Sequence, residues 1–600
     1  MNLSIKILFA FYFILPAIAF LRPWPLMSLI TSSGTLLFSM LIFCVSFISL
    51  DRRRLAISPV ILIFSSCIFS VLVSVYFSTY ILSVAWRWYF LVLVFSIFLA
   101  LSVSEVKYSL GHSCFLKYVS KLMYFCSVFY AVASLLKYYG VINYFFSGIA
   151  SPSDQRLTGV WDQPNLTTSL EWIGALASVG FLVNGKFRRV KLILYYVSIF
   201  LIGWTVALAA SRLSWVYAFV ALFSALLSLY FSRDRVGNVQ VRVICVVVIF
   251  IFLIFFVPYV NELVLSYMRK FGFLFHADAS SLIERGGSAH ARLSEFLKVI
   301  HSVAHMGWSS LAFGIGPGNY ASFSANADLT LPSARLYDFL WTHSHNIFSM
   351  VFEEQGILGI ITISLIIFFV FRRIWQLRSD SEYLWVSIAI TFIFIHSNLE
   401  FPLWYPWFLA LTCIFLVGIF DVNSCDIDSK LTKPFISALV LSFGFAFFYD
   451  LATQVVPVVR VSYASHPSQK DYDLLAEGGY HGLIGPYSTL RLFRSFEPED
   501  QFLRGQLHEI DDIASWRPLD MVRVRRFQVL TMLGDLGASC KEAKNTAKLY
   551  PYTAPILFGD ILKLKKLSSQ EAKTLFGCVS AGLEFRGETF SSSLHSGSQR

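Results

Sequence analysis

The sequence predicts an all-α polytopic membrane protein, and three observations predict it. The 600-residue chain is 56% hydrophobic and only 14% charged, whereas a soluble domain carries about a quarter charged residues. Its apolar residues come in long runs. Leu26–Leu50 and Leu213–Phe231 are each long enough to cross a hydrocarbon core of about 30 Å, which takes roughly 20 helical residues. Short segments of alternating apolar and polar residues are absent, which excludes a β-barrel.

About thirteen spans follow from these run lengths: Ile5–Phe20, Leu26–Leu50, Ile57–Val75, Trp88–Leu101, Tyr118–Tyr139, Leu166–Val183, Leu192–Ala210, Leu213–Phe231, Val243–Val260, Ile347–Phe371, Tyr383–Ile395, Trp404–Phe420 and Phe435–Phe448. The first lacks a small-residue cleavage site after it, so it is expected to be a retained span. Lys and Arg concentrate in alternate connections: Arg52 to Arg54, Lys107 to Lys121, Lys186 to Lys191, Arg233 to Arg242, Arg372 to Arg378, and Lys430 with Lys433. The opposite connections hold little more than Arg22, Arg87, Lys137, Arg156 and Arg212. That bias predicts a cytoplasmic N-terminus. It places 140–165, 261–341, 398–406 and the tail on the outer side. The net charge of +11 is largely this signal. Nucleic-acid binding, which needs a basic soluble face, is not expected.

The expected domains are a membrane bundle over 1–260, a large outer loop over 261–341, further spans over 342–452 and a helical outer domain over 453–600. A loop of this size is usually functional. Within it, Ala291 to His305 reads as an amphipathic helix and Gly314 to Tyr320 as a tight turn. In the tail, Met521–Leu549 with Gly534 and Gly537 resembles one tetratricopeptide-like helix pair, weak evidence in a single copy. Ser591–Arg600 is polar and expected to be disordered. Of nine cysteines, Cys540 and Cys578 either pair in an oxidising compartment or stay separate buried thiols.

Thr342-His343-Ser344-His345-Asn346 runs straight into the span from Ile347. His345 therefore stands at a membrane surface, where an imidazole of ordinary pKa about 6.5 suits a general base. The bland alternative is a helix-start residue with Ser344 or Thr342 as cap. His343, two residues away, is expected to point elsewhere. Glu354 lies about 13.5 Å further along a helix and on its opposite face, out of direct reach of His345. Glu353 and Glu354 are read as braces for other helices, and Gly356 and Gly359 as close-packing positions.

Arg212, in a very short outer connection, runs against the charge bias. It either snorkels to headgroups or binds a lipid pyrophosphate, and Arg292 in the large loop invites the same reading. In Asp162-Gln163-Pro164-Asn165, Asn165 is the expected helix cap and Gln163 a candidate ligand for sugar or phosphate. Glu171 is expected to be buried and in need of a partner. Near the last outer loop, Trp404 and Trp407 fit an interfacial belt, while Glu400 and Tyr405 face the outer cavity. Gly314 to Gly318 does not follow a strand and is no nucleotide fingerprint. With no metal-binding motif, neither a metal nor a cofactor is expected.

Four segments together resemble the bacterial protein O-oligosaccharyltransferases of the PglL (pilin-glycosylating) type, relatives of the O-antigen ligases and Wzy-type polymerases. They are Gly159–Asn165, Phe313–Tyr320, His343–Asn346 continuing through Glu354–Gly359, and Leu399–Tyr405. Asp162 departs from the small residue expected in the first. The resemblance covers roughly 159–420. It implies transfer of a preassembled glycan from an undecaprenyl pyrophosphate carrier to Ser or Thr of envelope proteins such as pilin, on the periplasmic side of the inner membrane. By that resemblance His345 is the base, Arg212 and Arg292 hold the pyrophosphate, and Gln163, Asn165, Tyr405, Glu400 and Glu354 support the substrates. The implied partners are a lipid-linked oligosaccharide, an acceptor protein and membrane lipids. An O-antigen ligase or polymerase with a sugar acceptor is the alternative. A transporter or flippase fits less well, since matched halves with broken helices are absent.

Overall fold

A computed structural model describes residues 3–18, 28–49, 54–78, 85–141, 156–161, 163–182, 189–232, 238–271, 289–330, 339–426, 432–463, 467–477, 483–493, 497–563 and 567–585. Asp162, Arg22 and Ser591–Arg600 lie outside them. The membrane helices are α1 (Leu3–Ile18), α2 (Leu29–Ser49), α3 (Val60–Phe77), α4 (Ala85–Leu110), α5 (His112–Tyr138), α6 (Pro164–Leu182), α7 (Arg189–Ala209), α8 (Leu213–Phe231) and α9 (Asn238–Lys270). After the large loop come α13 (Ile347–Gln376), α14 (Leu384–Ser397), α15 (Pro406–Ile419) and α16 (Thr432–Tyr463). Each expected span corresponds to one of them. Among the described residues, nine helices are long and apolar enough to cross a bilayer, and Ser4–Leu15, α14 and α15 are shorter apolar helices. One continuous apolar core runs from Ile5 to Ile419 through most of these helices.

A short ribbon fixes the polarity of the bundle. Strand β1 (Arg54–Ile57), before α3, pairs antiparallel with β2 (Asn423–Asp426), after α15, with Arg54 opposite Asp426. Both connections therefore lie at one end, as the alternating charge pattern requires. Lys107 shares that end. Its ammonium donates to the carbonyls of Val417 (2.9 Å), Gly418 (3.0 Å) and Phe420 (2.6 Å), acceptors that a helix C-terminus leaves unsatisfied. Arg373 pairs there with Asp421 at 2.8 Å. His345 stands at the start of α13 and Arg373 near its end, so the basic connections and His345 occupy opposite ends of the bundle.

Two expected boundaries move. Helix α9 runs past Val260, through Pro258, to Lys270, so the loop starts later than 261. Asn261 is a buried bridge: it donates to Tyr138 (3.1 Å) and accepts from Tyr139 (2.7 Å). Helix α16 likewise continues through Leu451 to Tyr463.

The large loop contains α10 (Ala289–Val303), α11 (Trp308–Phe313) and α12 (Tyr320–Thr330). The glycine turn between α11 and α12 rests on α13. Ile315 and Gly316 donate to the carbonyls of Glu353 (2.8 Å) and Glu354 (3.1 Å), and Gly318 donates to the Glu354 carboxylate (3.0 Å). Those acceptors are free because α13 kinks at Gly356, whose φ is 64°. A Cβ on Gly356 would meet the Ala312 carbonyl carbon at 2.4 Å, and one on Gly314 would meet the Gln355 nitrogen at 2.3 Å. The two glycines let two backbones touch. Glu353 and Glu354 thus brace the loop, with Ser302 of α10 donating to Glu353, and Glu354 O also accepts from Ser74 of α3 at 2.8 Å.

The C-terminal domain is helical: α17 (Gln469–Glu477), α18 (Gly485–Phe493), α19 (Leu503–Trp516), α20 (Asp520–Met532), α21 (Leu536–Leu549), α22 (Ala554–Lys563) and α23 (Ser569–Glu584). The expected helix pair is α20 and α21, turned by Gly534 at φ 80°. Cys540 and Cys578 form a disulfide. The domain grips the loop at both ends of α12: Trp516 Nε1 donates to Gly318 O (2.9 Å) and Lys548 to Leu329 O (2.9 Å).

Candidate active site

The site is built around one carboxylate. Glu400 follows the C-terminus of α14 and is nearly buried. One oxygen, Oε2, lies 2.8 Å from His345 Nδ1. The other, Oε1, accepts from the guanidinium of Arg292 on α10 and from Asn165 Nδ2 on α6 at 2.9 Å. Asn165 Oδ1 in turn accepts from Ser211 Oγ at 2.6 Å. Burial pushes the Glu400 carboxyl up, but the His345 hydrogen bond and the charges of His345 and Arg292 outweigh it and hold it below the usual carboxylate range. An ionised carboxylate only accepts. His345 Nδ1 must therefore carry a hydrogen and donate it, which leaves Nε2 as the basic nitrogen.

Asn346 positions the imidazole. Its Oδ1 accepts from the N–H groups of Phe348 and Ser349, each at 3.0 Å. Asn346 is thus the cap of α13, in place of the expected Ser344 or Thr342. Ser344 Oγ donates instead to the carbonyl of Asn346 (2.7 Å). His345 itself has φ 56°, a left-handed conformation that costs a residue with a Cβ roughly 1–2 kcal/mol. Ala210 at φ 46° is the other non-glycine residue of positive φ among the described residues, and it immediately precedes Ser211 and Arg212. Such strain persists only where surrounding contacts over-determine it, and it clusters at functional sites.

Aromatic rings wall the imidazole. Trp341 and Phe401 meet it edge-on, with centroids at 4.9 and 5.9 Å, and Tyr405 stacks on Phe401 at 5.4 Å. His343 does not point away. Its ring centroid is 4.3 Å from that of His345, because both residues precede the helix and helical spacing does not apply. Burial, helped by His345, Arg517 and Arg292, lowers the His343 pKa well below its ordinary value, which keeps the ring neutral. Ligand atoms of His343, His345 and Glu400 lie within 4.8 Å of one another. They are the donor set that could hold a metal ion, which would compete with Arg292 for Glu400.

The other expected residues divide. Gln163 is the cap of α6, its Oε1 accepting from Leu166 N at 2.6 Å; Asn165, the expected cap, joins the Glu400 network instead. Arg212 is exposed at the first residue before α8, next to Ser211. Glu354 lies beneath the glycine turn, away from His345. Glu171 accepts from Ser127. Ser211, Asn346 and Phe401 were not singled out from the sequence; only Asn346, directly before an apolar run, carries a recognisable capping signal.

Beside the site, a cleft opens between α3, α4 and α13. Val71, Trp88, Val92, Val351, Ile363 and Trp404 line it.

Residues 384–512 match the family model described as virulence factor membrane-bound polymerase, C-terminal. A 149-residue stretch is 26% identical to a general O-oligosaccharyltransferase of Acinetobacter baylyi; it covers 24% of this chain and 24% of that protein. No solved structure matches. The family match contains Glu400 and Tyr405 and reaches into the C-terminal domain. Over those stretches the chain is similar to a membrane-bound polymerase family and to an O-oligosaccharyltransferase, and it spans about a quarter of the length of that relative.

Proposed function

We propose that this protein transfers a preassembled oligosaccharide from a polyprenyl pyrophosphate carrier to Ser or Thr hydroxyls of envelope proteins, on the periplasmic side of the inner membrane. The observation that carries the reading is Glu400, which joins the candidate base His345 to the candidate anion ligand Arg292 beside an apolar cleft at membrane depth. His345 Nε2 takes the acceptor hydroxyl proton. The hydroxyl oxygen bonds to the anomeric carbon, the bond from that carbon to the pyrophosphate oxygen breaks, and polyprenyl pyrophosphate leaves. Arg292 and Arg212 neutralise the leaving group, which is already good enough for positioning and charge to suffice. The cleft seats the first isoprene units. This chemistry asks nothing of a metal, so transfer is expected to continue in EDTA.

The disulfide Cys540–Cys578 supports placing the tail in an oxidising compartment. The test is intact-mass analysis of a candidate pilin-like acceptor after incubation with the protein in proteoliposomes and lipid-linked glycan. A glycan-sized increment that His345→Ala abolishes supports the reading. The polymerase description of the matching family favours one alternative, a sugar acceptor. Elongated lipid-linked glycan beside an unmodified protein acceptor would establish that instead.

A further inference from the structure

Helix α10 is built inside out. Its buried face is mainly charged and polar, with Val299 as a buried apolar residue on it. Glu295 and Lys298 are 0% and 1% exposed, and they pair with each other. Lys298 also reaches Asp328 at 2.8 Å and Ser324 at 3.0 Å. Glu295 accepts from Tyr320 (3.0 Å) and Ser324 (2.9 Å) on α12, and Ser302 donates to Glu353 of α13 (2.7 Å). The outer face is apolar: Leu293, Phe296, Leu297, Ile300 and Val303 are between 43% and 54% exposed. At about 100° per residue these five span an arc of about 120°. A soluble helix turns such an arc inward.

The chain just after the arc presents further exposed apolar groups at the end of a span. Five residues past the end of α10, Trp308 begins α11 and is 86% exposed. Helix α11 sits on the end of span α3: Ser309 Oγ donates to Phe77 O (3.1 Å) and Phe313 stacks on Phe77 at 4.4 Å. Beside Phe77, Tyr76 is 82% exposed. Trp308 and Tyr76, exposed at the end of a span, are where an interfacial aromatic belt would lie.

We infer that α10 is an interfacial helix whose Leu293–Phe296–Leu297–Ile300 face lies in the acyl region of the outer leaflet, with lipid as its occupant. The buried Glu295–Lys298–Asp328 cluster locks the rotation of the helix, so the apolar arc cannot turn away. Arg292 stands on the edge between the two faces. Its guanidinium is thereby held at the depth of lipid headgroups, where a pyrophosphate carried on a lipid would lie. This last consequence rests on the proposed transfer; the lipid contact does not.

The test uses the full-length protein with its cysteines intact, in nanodiscs of phosphatidylethanolamine and phosphatidylglycerol. Benzoylphenylalanine is placed singly at Phe296, Ile300, Leu293 and, as a lipid-facing reference on α3, Leu62, which is 72% exposed. After irradiation, intact mass is measured. Adducts of one phospholipid mass at 296, 300 and 293, as at 62, are expected. Doubled-mass adducts would assign the face to a second copy. Adducts at 62 with none on α10 would leave the face in water. Either result overturns the inference. Because the readout involves no glycan, its failure is separable from failure of the transferase reading.

Discussion

Replacing Glu400 by Gln removes one charge and almost no volume, so it isolates what the carboxylate does. In the native site Glu400 accepts from His345, Arg292 and Asn165 at once. A glutamine amide facing His345 Nδ1 either turns its NH2 toward the ring, which forces the hydrogen onto Nε2 and abolishes the base, or turns its oxygen there and points two donors at Arg292. The charge-assisted bond to His345 is worth about 1.5–3 kcal/mol. The Arg292 pair is worth less. Its side chain is 37% exposed, and solvent screening discounts it to the order of 1 kcal/mol. Together these give about 2.5–4 kcal/mol, or about two to three decades in kcat at about 1.4 kcal/mol per decade. The assay is steady-state glycan transfer in proteoliposomes, with kcat and KM for donor measured separately. Glu400→Asp, one methylene shorter, reaches His345 or Arg292 but not both and should fall between. A Glu400→Gln enzyme within threefold of wild-type kcat, alongside an inactive His345→Ala, would refute the orienting role.

Three further outcomes follow from the fold. Gly314→Ala and Gly356→Ala each drive a Cβ into backbone at 2.3–2.4 Å from a left-handed conformation. Each should cost about 1–3 kcal/mol and lower the melting temperature, whereas Gly505→Ala, with open space around it in α19, should be neutral or stabilising; equal melting of all three would contradict the contact. Cys540→Ser should destabilise the C-terminal helices by about 4 kcal/mol, since the disulfide closes a loop of 38 residues, and a matching drop should appear on adding reductant to the wild type. His343 is held neutral by burial, so the unfolded chain binds a proton that the folded one does not. Stability is therefore full above the unfolded His pKa of about 6.5 and falls as pH drops below it. Melting between pH 7.5 and 5.5 should show that loss, and His343→Phe should reduce it.

The membrane helices were legible because a bilayer imposes run length and charge bias directly on sequence. Boundaries were less so. A polar pair such as Asn261-Glu262 reads as the end of a span, yet Asn261 is the buried partner of Tyr138 and Tyr139, and Pro258 interrupts α9 without ending it. Each component of the site stood out alone: His345 at a span mouth, Arg292 in the large loop, Glu400 in an outer loop. Their convergence did not. Periodicity reports which face a residue takes, not which of a dozen other helices that face meets. Hence the Glu400 bonds, which link residues 55, 108 and 235 positions away, have no local signature. Gln163 and Asn165 exchanged roles for the same reason: a cap is decided within three residues, whereas the choice between two amides was made by Glu400 across the bundle.

That long-range assembly also explains why the loop and tail are built as they are. Arg292 comes from a helix with no covalent neighbour in the bundle, so its placement depends on what holds α10. Its buried cluster ties it to α12. The turn before α12 is fastened below by Glu354 and above by Trp516, and the far end of α12 is held by Lys548. The kink at Gly356 frees the carbonyls that receive the turn. A chain of short polar contacts therefore runs from the C-terminal domain through α12 and α10 to Glu400. An acceptor bound to the tail would sit on the element that sets the angle of Arg292, while His345 is fixed by Asn346 and the start of α13. The two halves of the site meet at Glu400 and again where Ser302 of α10 donates to Glu353 of α13, so α13 carries His345 at its start and braces the helix of Arg292 further along.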